Sequence, residues 1–129
     1  MAWMGARSSW VPTHAARGIV QEDADGIGAM VVYDEWTPNA ARIHVAIDKP
    51  MTCREFVHAA FEYPFLETGR GVLLATIPAD NDACLRLVRR LGFYEAFHIE
   101  DGWAPGVDLV AFELRKENCR WIRRERLVA

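Results

Sequence analysis

The stretch Ile77-Pro78-Ala79-Asp80-Asn81-Asp82-Ala83-Cys84-Leu85-Arg86-Leu87-Val88-Arg89-Arg90-Leu91-Gly92-Phe93 decides the fold. Cys84, Leu87, Val88 and Leu91 recur at i, i+3, i+4 and i+7, which is one apolar stripe of an α-helix. Asp80-Asn81-Asp82 supplies cap candidates and acids for its first turn. Arg89 and Arg90 stand near its C-terminal end, where the helix dipole favours cations. Gly92 is the stop, since a left-handed residue there costs glycine nothing. The piece is a strand end, a polar loop, a whole helix and the start of another strand.

Upstream of it, Val72–Ile77 is a continuous apolar run, as expected of a central strand buried on both faces. Gly69–Gly71 is a turn. Before it, Thr52 and Glu55 form a T-x-x-E capping box, followed by Phe56, Ala59, Ala60 and Tyr63 at helical spacing. Pro64 is expected to end that helix. Ala16–Glu22 and Gly28–Tyr33 read as a hairpin around Asp23-Ala24-Asp25-Gly26. Asp34–Ala40 is a loop, and Ala41–Ile47 is a third, alternating strand. Downstream, Phe93–Glu100 and Val107–Leu114 are strands joined across a Gly- and Pro-bearing loop, Asp101–Gly106. The predicted fold class is α/β with a mixed sheet: an antiparallel meander, one βαβ crossover and a C-terminal hairpin. Residues 1–115 form the single domain, and 116–129 a basic tail.

Composition narrows the function. A chain of 129 residues, 51% hydrophobic and 26% charged, is one soluble globular domain. No run approaches the roughly 20 apolar residues of a membrane span, and Met1–Trp10 lacks the apolar core of a signal peptide. Cys53, Cys84 and Cys119 are odd in number and without a CxxC pattern, which argues against disulfides and zinc and for a reducing compartment. His14, His44, His58 and His98 show no ligand spacing, so no metal is expected. The segment Arg115–Ala129 carries six basic and two acidic residues, a net +4, leaving −7 for the rest of a chain whose total is −3. A solvated arm and a docking element for an acidic partner both fit that asymmetry. The acidic body speaks against nucleic-acid binding.

The segment from Ile77 to Phe93, with its Asn at the strand end and its closing Leu91-Gly92-Phe93, resembles a signature of the GNAT N-acetyltransferases. The order of elements from Ala16 to Leu114 resembles theirs too. Val31–Asn39 and Asp101–Leu109 look like a small GNAT-like group encoded by tailed bacteriophages. The resemblance implies acetyl transfer from acetyl-CoA to an amine. The donor's pantetheine arm would lie in a strand splay beside Val72–Ile77, and its pyrophosphate at the N-terminus of the Thr52 helix. The cofactor-binding positions it implies are Ile47, Lys49, Thr52, Cys53, Arg54 and Asn81. The catalytic candidates are His44, close to where family members often keep a base, Tyr94, and Glu35, which with Asp34 at the hairpin's end could deprotonate an amine or simply be solvated.

Three departures from the family pattern bear on that chemistry. Where the family carries Q/R-x-x-G-x-G/A, this chain reads Asp48-Lys49-Pro50-Met51-Thr52-Cys53-Arg54, without the glycines that let a diphosphate approach backbone N–H groups. The family's acidic tyrosine falls on Val88, and Tyr94 is the nearest substitute. Ahead of the Ala16 strand there is room for one short element rather than a strand and two helices, so the acceptor face is expected to be open and the acceptor macromolecular. The site therefore reads as degenerate. His44 is also explained as a half-buried strand histidine, and Asn81 as a helix cap. The alternative function is a non-catalytic GNAT-fold phage protein, structural in the virion or bound to a host protein. It would act in the host cytoplasm or the particle, through a protein partner or a homo-oligomer held by Trp36, Trp103 or the basic tail.

Overall fold

The computed structural model describes residues 16–23, 26–48 and 54–123. Three strands come first: β1 (Arg17–Asp23), β2 (Gly26–Asp34) and β3 (Ala40–Ile47), each antiparallel to the next. Helix α1 (Arg54–Glu62) runs straight into a π-helical turn, Tyr63–Glu67. Pro64 stands at the first positions of that turn. With no N–H to give, it ends the α-helical ladder but not the helical path. The chain leaves the path at Thr68, whose N–H donates to the Tyr63 carbonyl at 3.0 Å. Strand β4 (Val72–Pro78), helix α2 (Asp82–Leu91), strands β5 (Tyr94–Ala104) and β6 (Val107–Arg115), and a 3-10 turn, Lys116–Asn118, follow.

The six strands form one sheet in the order β1-β2-β3-β4-β6-β5. Among the described residues β3–β4 is the one parallel pair, and the others are antiparallel. The mixed sheet with a meander, a crossover and a closing hairpin is the expected one. Both helices lie on the same face. Phe56 and Phe61 of α1 share one core with Val88 and Leu91 of α2, and with Val31, Tyr33, Ile43, Leu73, Phe112 and Leu114 of the sheet. The Tyr33 hydroxyl donates to the Ala60 carbonyl, tying β2 to α1, and burial pushes its pKa up.

This one-sided packing changes the reading of β4. Leu73, Ala75 and Ile77 are buried toward the helices, but Leu74, on the opposite face, is 37% exposed. The strand buried on both faces is β2, where Gly28 to Asp34 are all buried. Its second face carries Met30 and Val32, packed with Ala46 and Ala16. An unbroken apolar run shows that a strand is central. It does not show that a second layer covers it.

The expected loop Asp101–Gly106 is mostly strand. β5 continues to Ala104, with register shifts between Glu95 and Phe97 and between Ile99 and Ala104, and only Pro105-Gly106 turns. Asp101 takes a positive φ of 55°. Its N–H donates to Asp108 Oδ1 at 2.9 Å, and its own carboxylate accepts from the Gly106 N–H at 2.8 Å. Gly102 passes so close to Leu109 that an added Cβ would lie 2.8 Å from the leucine Cβ. A glycine read as a loop marker is here a close-approach residue inside a bulge. Trp36 likewise packs against the core, with its ring 6.1 Å from Tyr33 and 6.2 Å from Tyr63, and the Arg70 guanidinium 5.0 Å above it.

Within the segment read as a basic tail, Lys116–Arg123 is described and Cys119 and Ile122 are buried. Trp121 Nε1 donates to the Leu91 carbonyl at 2.8 Å, and its ring stacks on Phe61. Arg123 reaches α1, with Nη2 on Glu62 Oε1 at 2.6 Å and Nη1 on Glu55 at 3.1 Å. The Glu62 carboxylate, and then Glu55, hold its pKa up. The segment thus joins the ends of both helices. Residues 124–129 lie outside the described residues, as do Lys49, Thr52 and Cys53.

One pair of variants tests the one-sided core. Leu73→Ala, at a site with no exposure, should cost about 2–5 kcal/mol. Leu74→Ala, one residue on, should cost under about 1 kcal/mol. Chemical denaturation of both variants measures the difference.

Candidate active site

β3 and β4 pair at only three positions, Ala40–Val72, Ala41–Leu73 and Arg42–Leu74. Beyond them the strands part, although β3 stays paired to β2 through Ile47 and β4 to β6 through Pro78. The parted edges enclose a cleft of about 670 Å³, within the range that holds a small-molecule ligand. Residues Arg42 to Asp48 form one wall and Ala75 to Pro78 the other. Leu87, Val88, Leu91 and Phe93 form an apolar floor, and Trp103 reaches in from the β5–β6 hairpin.

At the end of the cleft α2 begins. Asn81 caps it, with Oδ1 accepting from the Cys84 N–H at 3.1 Å, and Gly92 closes it at φ 107°. The cap uses the amide oxygen, and Asn81 also lines the cleft. Burial raises the pKa of the Cys84 thiol, which therefore stays protonated at neutral pH.

Ionisable groups gather on the face opposite the helices. Asp34 and Arg42 stand directly across the β2–β3 ladder, and His44 stands across from Val32. All three side chains are therefore on one face, with His44 diagonal to Asp34. His44 Nε2 lies 2.9 Å from Asp34 Oδ1, and Arg42 Nε lies 3.4 Å from the same oxygen. Arg42 Nη2 also holds Glu35 at 2.9 Å. Asp34 is buried, at 1% exposure. The pKa of His44 is lowered, chiefly by burial; hydrogen bonding and charge from Asp34 oppose the shift, Arg42 adds to it, and Glu35 opposes it.

Of the residues singled out in the sequence, His44, Ile47 and Asn81 come together around this cleft. Glu35 points to solvent and pairs with Arg42. The Tyr94 hydroxyl donates to Glu113 on β6, and Tyr94 does not line the cleft. Arg54, exposed at the start of α1, is not in the lining either. Asp34 was legible only as a loop acid near Glu35. The β2–β3 register, with Asp34 across from Arg42 and His44 across from Val32, is what puts Asp34 and His44 on one face, and the sequence alone does not fix it. Trp103 as a cleft residue had no local signal, since it depends on how the hairpin bulges.

No known protein family and no curated protein matches this sequence. Solved structures do match its shape. Spermidine N-acetyltransferase SpeG from Vibrio cholerae, as a point mutant, superposes with a TM-score of 0.67 at 20% identity, over 87% of this chain and 71% of that one. The same enzyme in complex with CoA and spermine gives 0.69 at 18% identity, over 81% and 68%. The fold is that of the GNAT acetyltransferases. Within this GNAT fold, no group of His, Cys, Asp and Glu among the described residues could hold a metal ion. No described helix is long and apolar enough to cross a membrane.

Two measurements probe this site. Asn81→Ala should cost about 1 kcal/mol of stability through the lost cap. A His44 whose pKa is lowered on folding makes the folded state take up its proton later than the unfolded state. Stability from this group is thus present above the unfolded pKa of about 6.5 and declines as pH falls below it. His44→Gln should flatten that part of the pH dependence of Tm.

Proposed function

We propose that the chain is an acetyl-CoA-dependent N-acetyltransferase acting on an amine of a macromolecule, with His44 as the base. One observation carries this reading: β3 and β4 part after three pairs and open a cleft with His44 in its wall. The free strand edges suit the amide groups of a pantetheine arm, and the apolar floor suits its methylenes. The bound CoA of the SpeG complex agrees with such a donor. In the reaction the amine nitrogen attacks the thioester carbonyl and forms the new C–N bond. His44 takes the amine proton, the C–S bond breaks, and the CoA thiolate leaves to be protonated by water. Neutral His44 at pH 7 is in the form a base requires. Among the described residues no tyrosine lines the cleft, and Val88 cannot donate a proton, so thiolate protonation falls to solvent.

Both described helices lie on the face away from His44, which favours a large amine over a small enclosed one. The glycine-free stretch from Asp48 to Arg54 should make donor affinity low, and this is the sense in which the site is degenerate. Calorimetric titration with acetyl-CoA should give weak, saturable binding. Transfer to poly-lysine should exceed transfer to spermidine, and His44→Gln should lower it by about 10²- to 10⁴-fold. Absence of heat at millimolar acetyl-CoA would sink the proposal.

A second reading, a GNAT fold kept for its surface in a phage particle or host complex, is favoured by β5. Tyr94, Phe97, Ile99 and Trp103 on this edge strand are 43%, 54%, 44% and 43% exposed, more apolar side chain than an edge usually shows to water. On that reading the same titration is silent, and the protein instead elutes as an oligomer or with a partner.

A further inference from the structure

Asp34 is the last residue of β2 and the most buried ionisable group of the β2–β3 face. Its Oδ1 is 2.9 Å from His44 Nε2. A carboxylate only accepts hydrogen bonds, so the proton in this contact belongs to Nε2. The neutral ring then has its lone pair on Nδ1. We propose that Asp34 is a positioning residue for His44. It holds the ring in the Nε2–H tautomer, makes Nδ1 the nitrogen that takes the amine proton, and steadies the imidazolium that results. This rests on the reading of His44 as the base, but the tautomer can be measured without it.

The surroundings make Asp34 the orienting group. Arg42, directly opposite on the ladder, lies 3.4 Å from the same Asp34 oxygen and keeps the carboxylate in place. Among the described residues, Asp34 from β2, Glu35 just beyond it and Arg42 from β3 act on the ring by charge. From β4, Leu74 and Thr76 share that face and neither ionises. Burial and Arg42 disfavour the protonated ring, while Asp34 and Glu35 favour it. Glu35 is exposed and already bound to Arg42, so its charge is well screened. Removing the Asp34 charge takes away the main influence that opposes burial among the described residues. A purely structural Asp34–Arg42 pair would leave both the tautomer and the titration of His44 untouched.

The test is nitrogen NMR of the full chain with labelled histidine, His44 being assigned by its loss in His44→Gln. The wild type should show a protonated Nε2 and a bare Nδ1 at neutral pH. In Asp34→Asn the tautomers should mix and the ring should titrate at lower pH. The acid limb of poly-lysine acetylation should move the same way. In that variant kcat should fall at least about tenfold, with KM for acetyl-CoA changed less than about twofold. A wild-type ring bare at Nε2 overturns the proposal, and so does an Asp34→Asn titration that coincides with wild type. If Asp34→Asn does not fold, the wild-type tautomer decides alone. Should His44→Gln retain full transfer, the base reading fails, and the NMR result still reports on the Asp34–His44 contact.

Discussion

The cleft depends on a parallel strand pair that forms only three rungs. At its start the pair is pinned. The Asn39 carbonyl accepts from both the Gly71 and Val72 N–H groups, at 3.0 and 3.1 Å. Gly71 comes so near the Asn39 side chain that a Cβ there would lie 2.8 Å from Oδ1. From that fixed point β3 and β4 diverge, each still fastened along its other edge. The gap is therefore rigidly framed. Had the parallel ladder continued, its backbone bonds would occupy the space that now forms the cleft.

The period-two alternation of a strand then gives β3 two tasks at once. Ile43 turns to the core beneath the helices, and Val45 packs against that core, while Arg42 and His44 face the other way, toward Asp34. Neighbouring residues of one strand thus give the cleft wall both apolar and ionisable side chains. The low exposure of Asp34 strengthens its contact with the ring, because little water competes for it.

How much of this was legible in the sequence depended on how local each cause was. The α2 helix was plain from Cys84, Leu87, Val88 and Leu91, from the Asn81 cap and from the Gly92 stop, because each acts within one turn. The hairpins followed from turn chemistry. The parting of β3 and β4 was legible only through the family resemblance, as the splay beside Val72–Ile77; no residue marks it by itself, since it results from two pairings competing for each strand. The burial of β4 was misjudged because Leu73 and Leu74 are identical in type and differ only in which face has a layer on it. Asp34 and Glu35 are neighbours in the chain and offer the same chemistry. In a strand a step of one changes the face, and only the β2–β3 register tells which acid meets His44. Asp101–Gly106 misled because glycine and proline mark bulges as well as loops.

The position of β6 has a consequence for synthesis. It lies between β4 and β5, yet it follows both in the chain. When the ribosome has released β5, that strand has no ladder partner, and its aromatic residues stand in water. The helices meanwhile lack Trp121 and Arg123, which connect them only from the region after β6. The first three strands can assemble as they emerge. The second half has to wait for its last members, so folding is partly non-vectorial, and a nascent chain paused after β5 is its most aggregation-prone form.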